Sequence, residues 1–497
     1  MLKIRLLFLL LAFTGIAVLT SSCKSSKGNK SRTTGWEYNN PQNGGFEVSE
    51  TKLMKPAPGL VPIEGGTFVM GLTPEDPFYQ WDNNPRRVTV GNFYMDETEV
   101  SNLDYQEYIY WLTRVYGENY PNVVQNALPD TLVWIDRLSY NEPMVEAYFR
   151  HPAFKNYPVV GVSWLQANDY AKWRTDRVNE QVLIDAGILD YDLDQKDDYN
   201  FNTEAYLAGQ YDGVVKEGKE DLNPNGKGIR NVRYEDGILY PSYRLPTESE
   251  WEYAAYALIG NTSGDRVSER RLYPWNGQTV RAQEGKNKGE FLANFKINNG
   301  DYQGVAGDNN DGAIMPAPVY SYEPNDFGLY NMAGNVSEWT LDVYRPLSHY
   351  DVSDMNPFRG SVLKVPKRDM DGHLTPKDSL GRIQYVDIPE SEVAKHPNIK
   401  RANNVNYKDG DYSSNIEISG DWTAGPETDN TTTQMYNYGQ TTLINDKSRV
   451  IKGGSWKDGP YFLSPGVRRF MDEDQASATV GFRCAMDGLG NKKLSKK

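Results

Sequence analysis

The sequence predicts an α+β domain with low regular secondary structure, in which short strands and a few helices alternate with long inserted loops. Glycine and proline are frequent, at 44 and 28 of 497 residues, and this favours turns and loops over a helix bundle. Short β-branched and aromatic runs alternate with segments of helical apolar spacing. The polar stretches between these segments are longer than ordinary connections, which indicates insertions.

The strands are predicted near the start of the domain. Residues 61–71 have the pattern of two short strands around a turn at Gly65 and Gly66. Residues 88–90 and 93–95 are β-branched or aromatic and are predicted to form further strands.

Three helices are predicted from apolar spacing and capping residues. The first covers about 99–115, where apolar residues recur every three or four positions. The second covers about 163–180 and begins at Ser163, a favourable N-cap. The third begins after Thr247, which stands three residues before Glu250 in capping-box spacing.

The segment before the domain has the layout of a bacterial lipoprotein signal. A short basic head precedes the apolar run of residues 6–19, which is too short to span a bilayer comfortably. Small residues follow, and then Cys23. Cleavage before Cys23 would make its thiol the acceptor of a membrane-anchoring lipid. An ordinary secreted protein with a chance cysteine is the alternative.

We expect one domain with insertions, because no internal repeat is present. The predicted organisation is a signal peptide at 1–22, a flexible linker at 23–58, a single domain at 59–489 and a basic tail at 490–497. The insertions are predicted at about 113–155, 181–243 and 345–447, here called the first, second and third insertions.

The net charge and the cysteine content exclude some classes of function and of stabilising bond. The net charge of −14 argues against binding to nucleic acid. Cys484 is the only cysteine besides Cys23, so lipidation of Cys23 would leave no intrachain disulfide. Metal ions are then the natural candidates for additional stabilisation.

Seven blocks in order resemble the formylglycine-generating-enzyme (FGE-sulfatase) domain family, a variant of the C-type-lectin-like fold. Together they span about 61–486 of this chain. The blocks are residues 65–71, 93–100, 158–164, 244–255, 328–339, 449–456 and 481–485.

The resemblance implies a member of the family that is not an enzyme. Catalytic members carry two copper-binding cysteines a few residues after the Gly-Gly-Ser block, and soft Cu(I) requires such thiolates. Here residues 456–466 contain no cysteine, so no copper is expected. A lone cysteine such as Cys484 in an apolar strand is usually inert packing.

The resemblance also implies calcium, at two sites. One set matches Asn331, Gly334, Val336 and Glu338, with Gly334 and Val336 contributing backbone oxygens. The other matches Asn294, Phe295, Asp311 and Ala313. Glu338 lies in the better-matched segment, so it is expected to be the stronger ligand. Hydrogen-bonded polar turns are the alternative for both sets.

A narrower resemblance concerns lipoproteins of gliding motility and type IX secretion in Bacteroidota. It rests on Cys23 together with residues 84–100, 128–134, 148–152 and 173–180. It implies a non-catalytic scaffold, anchored by lipid to the outer membrane on its periplasmic face, with other subunits of that machinery as partners. A formylglycine-generating-type oxidase and a lectin-like binder of envelope glycans are the alternatives.

Overall fold

The described part of the protein, in a computed structural model, contains the whole series of family-like blocks. It comprises residues 30–49, 55–72, 78, 83–226, 228–258, 271–275, 277–299, 302–305, 310–345, 354–360, 362, 364–388 and 447–490. The predicted signal peptide with Cys23, much of the third insertion and the tail beyond Gly490 lie outside these residues. No helix in the described ranges is both long and apolar enough to cross a membrane.

The three predicted helices are confirmed. The second and third begin where predicted, whereas the first begins at Asn102, three residues after the predicted start at Glu99. Ser101, Ser163 and Thr247 are N-caps whose hydroxyls accept from the backbone N–H three residues later, and each forms a full capping box. Shorter helices occur within the first two insertions. The helices are α1 (Asn102–Tyr116), α2 (Pro121–Ala127), α3 (Glu142–Arg150), α4 (Trp164–Asp185), α5 (Thr203–Leu207) and α6 (Glu248–Tyr256).

The strands are short. They are β1 (Leu60–Ile63), β2 (Gly66–Met70), β3 (Arg86–Val90), β4 (Phe93–Asp96), β5 (Lys219–Glu220), β6 (Ile229–Arg230), β7 (Tyr243–Arg244), β8 (Ser337–Val343), β9 (Lys364–Pro366), β10 (Tyr385–Asp387), β11 (Ser448–Lys452), β12 (Arg469–Asp472), β13 (Val480–Gly481) and β14 (Ala485–Asp487). With 24% helix and 18% strand among the described residues, the expected α+β architecture of low regular content is confirmed.

Two four-stranded sheets form the frame of the domain. The first has the order β1-β4-β14-β7 and is antiparallel, and the second has the order β12-β11-β8-β13, with β13 parallel to β8. Only Phe482, Arg483 and Cys484 separate β13 from β14. The chain therefore crosses from one sheet to the other within three residues.

The predicted strands on either side of Gly65 are present, but the prediction that they form a hairpin is wrong, because they do not pair with each other. β1 pairs with β4, whereas β2 pairs with β3. The backbone of Gly65 passes so close to Gly91 that a Cβ there would lie 2.4 Å from the Gly91 carbonyl carbon. The glycines thus allow the chain to leave one sheet and begin a separate two-stranded ribbon.

The core has an aromatic centre where the helices meet the strands. Tyr105 of α1 and Tyr170 of α4 stack with ring centroids 5.6 Å apart, and Phe482 packs edge-on against Tyr170 at 5.4 Å. These side chains are almost fully buried. The packing explains why α1 and α4 need apolar residues at helical spacing.

The segment predicted as a flexible linker differs from that expectation over residues 30–49. It folds into turns that contain a short 3₁₀ helix (Pro41–Asn43), and Glu47 contacts Arg230 of β6 in the second insertion. The segment therefore makes specific contacts with the domain.

A second buried cluster carries full charges. Lys452 lies 3.1 Å from Glu252 and 3.5 Å from Glu248, and Arg468 donates to both carboxylate oxygens of Glu248. All four side chains are buried. Although burial opposes ionisation, Arg468 and Lys452 lower the pKa of Glu248 below its usual value.

Removing the ammonium from this cluster should be costly. We expect Lys452→Met to lower the free energy of unfolding by about 3–5 kcal/mol, because Glu252 would remain buried without its counter-charge. Lys172→Met, which removes an exposed ion pair with Asp169, should have little effect. Urea denaturation of both variants is the measurement, and equal losses would contradict a structural role for the cluster.

Candidate metal centre

The carboxylate of Glu338, predicted as a calcium ligand, is occupied by an arginine. Arg483 donates to both of its oxygens at 2.6 Å, and the indole N–H of Trp251 donates to one of them at 2.7 Å. Glu338 and Arg483 are both buried. Three N–H donors therefore neutralise and surround the carboxylate.

Asn331 lies nearby, bound to a glutamate that the sequence reasoning missed. Its amide donates at 3.0 Å to Glu99 and at 3.0 Å to the Val319 carbonyl. Asn335 donates at 2.9 Å to the other oxygen of Glu99. Burial, assisted by the charge of Glu338, raises the pKa of Glu99 to about 7.

The first predicted set is thus brought together in space, but its side chains do not suit calcium as they are packed. Calcium requires carboxylate and amide oxygens that face the ion. Glu338 instead faces Arg483, and Asn331 presents its NH₂ group to Glu99. Gly334 and Val336 are buried in the same segment. The contacts are those of the alternative, a hydrogen-bonded turn.

The second predicted set is also brought together. The Asp311 carboxylate accepts from the backbone N–H of Phe295 at 3.3 Å and of Ala313 at 3.2 Å. Asn294 is buried directly before Phe295, and its carbonyl accepts from the N–H of Asn335 at 2.8 Å. Gly334 permits this approach, since a Cβ there would lie 2.3 Å from the Asn294 carbonyl oxygen.

One buried oxygen atom of this second set has no hydrogen-bond donor among the described residues. The side-chain oxygen of Asn294 is buried and accepts no hydrogen bond from the residues that the structure describes. The amide cannot simply be reversed, because its NH₂ group already faces two acceptors, the Met315 carbonyl at 2.9 Å and the Asn335 side-chain oxygen at 3.3 Å. A buried unsatisfied acceptor costs roughly 1–3 kcal/mol.

The second set therefore fits a calcium ion. The side chains of Asn294 and Asp311, with the carbonyls of Phe295 and Ala313, would supply the oxygen ligands that calcium prefers. A bound ion would satisfy the Asn294 oxygen and link the two segments that carry the ligands. Across the described ranges, no three histidine, cysteine or acidic side chains converge on a metal site, so amide and carbonyl oxygens would complete the shell.

The segment after Gly453 and Gly454 contains ordinary structural contacts. Asp458 accepts from Arg469 at 2.8 and 2.7 Å and also from the hydroxyl of Ser455. Leu463 is fully buried. An ion pair and an apolar side chain thus lie in the segment where catalytic members of the family carry their cysteines.

Cys484 does not have the properties of a reactive thiolate. It is fully buried, and its backbone N–H donates to Asp96 at 2.8 Å. Burial raises the pKa of its thiol well above the usual range, and the neighbouring Asp96 raises it further. The thiol is therefore neutral at any physiological pH.

Glu99, Asn335 and Arg483 take part in this site but are not among the residues that the sequence predicts for it. Only Arg483 carried a signal, a charge in an apolar context between Phe482 and Cys484, because Glu99 follows the polar residues 96–98. Charged residues are rarely buried unless they are paired.

The chain belongs to the sulfatase-modifying factor enzyme 1-like (FGE-sulfatase) domain family, whose model matches residues 45–488. It is similar to the formylglycine-generating enzyme of Mus musculus, with 28% identity over 291 residues that cover 57% of this chain and 58% of the murine protein. The chain thus matches less than two thirds of that enzyme.

It is also similar to the inactive C-alpha-formylglycine-generating enzyme 2 of Mus musculus, with 24% identity over 320 residues that cover 61% of this chain and 74% of the relative. The structure of PvdO from Pseudomonas aeruginosa covers 88% of this chain, with a TM-score of 0.42 and 14% identity over the full length of PvdO. Since the family contains proteins named as active and as inactive, membership alone does not decide activity.

The two predicted calcium sets can be separated by mutation. Calcium should raise the melting temperature of protein from which metal has first been removed with a chelator. An ion that binds only the folded state stabilises it by roughly 2.7 kcal/mol at a hundredfold excess over its dissociation constant. Asp311→Asn and Asn294→Ala should reduce this calcium-induced shift, whereas Glu338→Gln should lower stability but leave the shift intact.

Thermal melts with chelator and with added calcium give the shift, and elemental analysis of the same samples gives the bound metal. Asp474→Asn, at an exposed carboxylate outside both sets, is the control. Loss of the shift in Glu338→Gln but not in Asp311→Asn would instead support the order expected from the sequence.

The buried carboxyl of Glu99 should make stability depend on pH. Its folded pKa is about 7, above the usual value near 4.3 in an unfolded chain, so the folded state binds the proton more tightly. This contribution is fully present below pH 4 and is lost as the pH rises through 7. Glu99→Gln should reduce the fall in unfolding free energy between pH 5.5 and 8 by roughly 1–3 kcal/mol.

Denaturant titrations at both pH values measure this difference, and Glu107→Gln on the exposed side of α1 is the matched control. Asp342, whose pKa burial and Glu248 also raise to about 7, should leave part of the pH dependence in place. An unchanged pH dependence in Glu99→Gln would contradict the assignment.

Proposed function

We propose that this chain is a non-catalytic, lipid-anchored scaffold subunit of the gliding-motility and type IX protein secretion machinery of Bacteroidota. It would be held at the periplasmic face of the outer membrane and would bind other subunits of that machinery. Within this group the sequence resembles GldJ most, and GldK (PorK), a ring component of the secretion machinery, is the second choice. Lipidation at Cys23 supplies the anchor in this proposal.

The observation that carries the non-catalytic part is the absence of cysteine from residues 456–466, and the Asp458–Arg469 ion pair in this segment agrees with it. Two hydrogen bonds hold the Asp458 carboxylate against Arg469, so this carboxylate is already engaged. A carboxylate is also a poor substitute for thiolate in binding Cu(I). With residues 456–466 free of cysteine, this segment is suited to structure rather than to copper chemistry.

The first insertion supports a role in protein binding. Leu132 is 63% exposed, Ile135 55%, Leu138 99% and Tyr140 87%. These four residues lie within nine positions, and soluble domains seldom expose so many large apolar side chains close together. An exposed apolar segment of this kind favours contact with a partner protein.

A recess beside the second and third insertions supports the same role. A cavity of about 740 Å³ is lined by residues of α1 and α4 on one side and by residues from both insertions on the other. Tyr234 and Tyr385 lie at this cavity and are about half exposed. Tyrosine is enriched in the cores of protein interfaces, so the recess suits a segment of a partner.

Replacing Cys23 tests the anchor. Cys23→Ala should release the protein from membranes and abolish metabolic lipid labelling, because the acyl acceptor is removed. Fractionation of cells that express either form is the measurement. Lipid label that persists on the variant would exclude this cysteine as the anchor.

Co-purification from detergent-solubilised membranes tests the scaffold. Ile135→Ser combined with Leu138→Ser should reduce recovery of secretion-machinery subunits at least tenfold, whereas Leu489→Ser, at an exposed leucine outside the insertions, should not. Recovery of the same subunits with all forms would contradict a role for the first insertion. Stoichiometric copper with conversion of a cysteine peptide to formylglycine would instead support the oxidase alternative.

A further inference from the structure

Residues 37–48, here called the N-terminal strap, form a closed turn. The side-chain oxygen of Asn39 accepts a hydrogen bond from the backbone N–H of Val48 at 2.7 Å. The backbone N–H of Asn39 donates to the carbonyl of Phe46 at 2.9 Å. The rings of Tyr38 and Phe46 lie 5.8 Å apart. Lys30 forms a β-bridge and an ion pair at 3.2 Å with Glu37, so the chain enters the strap beside its start.

The strap is attached to the second insertion through Glu47. One carboxylate oxygen of Glu47 accepts from the backbone N–H of Leu222 at 3.0 Å, and the other accepts from the Arg230 guanidinium at 3.0 Å. Arg230 is held in turn by two hydrogen bonds to Asp236, at 2.7 and 2.9 Å. Hydrogen bonding to Arg230 lowers the pKa of Glu47, which keeps this carboxylate charged.

A glycine makes the attachment close. Gly45 is buried against the second insertion, and a Cβ there would lie 1.7 Å from the Leu222 carbonyl oxygen. Gly44 also has a positive φ, of 84°, but a Cβ there would meet nothing nearer than 4.0 Å. Of these two adjacent glycines, only Gly45 is required by contact with the domain.

We propose that the docked strap fixes the orientation of the domain on the membrane, with the β5–β6 hairpin of the second insertion facing the lipid surface. This inference rests on the lipid anchor at Cys23 proposed above. Lys30 lies seven positions after Cys23, so the start of the docked strap stays within roughly 25 Å of the anchor. If the strap is undocked, the chain reaches the first strand of the domain only at Leu60, 37 positions after Cys23, with a reach of roughly 130 Å.

The test uses the mature lipidated protein in vesicles of phosphatidylethanolamine and phosphatidylglycerol. Hydrogen exchange at the Leu222 amide reports docking. Energy transfer from a dye at Glu217→Cys, an exposed position just before β5, to a headgroup acceptor reports proximity to the membrane. We expect Gly45→Ala to speed exchange at Leu222 at least tenfold and to reduce energy transfer.

Gly44→Ala is the matched control, because it imposes the same backbone strain without the clash, and it should change neither readout. Glu47→Gln removes the charge alone and should speed exchange by a smaller factor. Equal exchange in the two glycine variants would overturn docking. Faster exchange in Gly45→Ala with unchanged energy transfer would overturn the orientation.

Flotation of the same vesicles separates this inference from the proposed anchor. If the wild-type protein fails to float, the lipid anchor and the orientation are both overturned, while the exchange data still decide whether the strap docks. If all variants float equally, any change in energy transfer is due to the strap.

Discussion

The ion pair between Arg483 and Glu338 is the contact on which the two sheets depend. Arg483 lies in the three-residue crossing between β13 and β14, and Glu338 lies on β8 of the second sheet. The same guanidinium also donates to the carbonyls of Tyr330, at 2.8 Å, and Asp96, at 3.2 Å. A buried arginine requires such complete pairing, and the segments that provide the acceptors are thereby held in one arrangement.

This arrangement explains why the two predicted calcium sets differ. Arg483 pairs with the Glu338 carboxylate, and Asn331 donates to Glu99. N–H donors of the protein therefore occupy the place that a cation would take in the first set. At the second set, backbone N–H groups of Phe295 and Ala313 donate to Asp311, and the side-chain oxygen of Asn294 accepts no hydrogen bond from the described residues. Two sets with the same predicted role thus differ in the charged groups that surround them.

Local signals predicted the helices well, because Ser163 and Thr247 specify their helix starts through contacts three residues away. The sequence did not indicate that β1 and β2 belong to different sheets, since strand partners are chosen by packing far along the chain. For the same reason Glu338 was assigned to a metal, as its partner Arg483 is 145 residues distant. The strap was missed because its polar composition is typical of a linker, and only Gly45 and Glu47 distinguish it.

The pairing of β4 with β14 has a consequence for biosynthesis. The Asp96 carboxylate accepts from the N–H of Cys484, a contact that joins residues 388 positions apart. The first sheet therefore cannot close until almost the whole chain has emerged, and contacts of such long range slow folding. Under the export to the envelope proposed above, this delay would keep the polypeptide extended while it crosses a membrane.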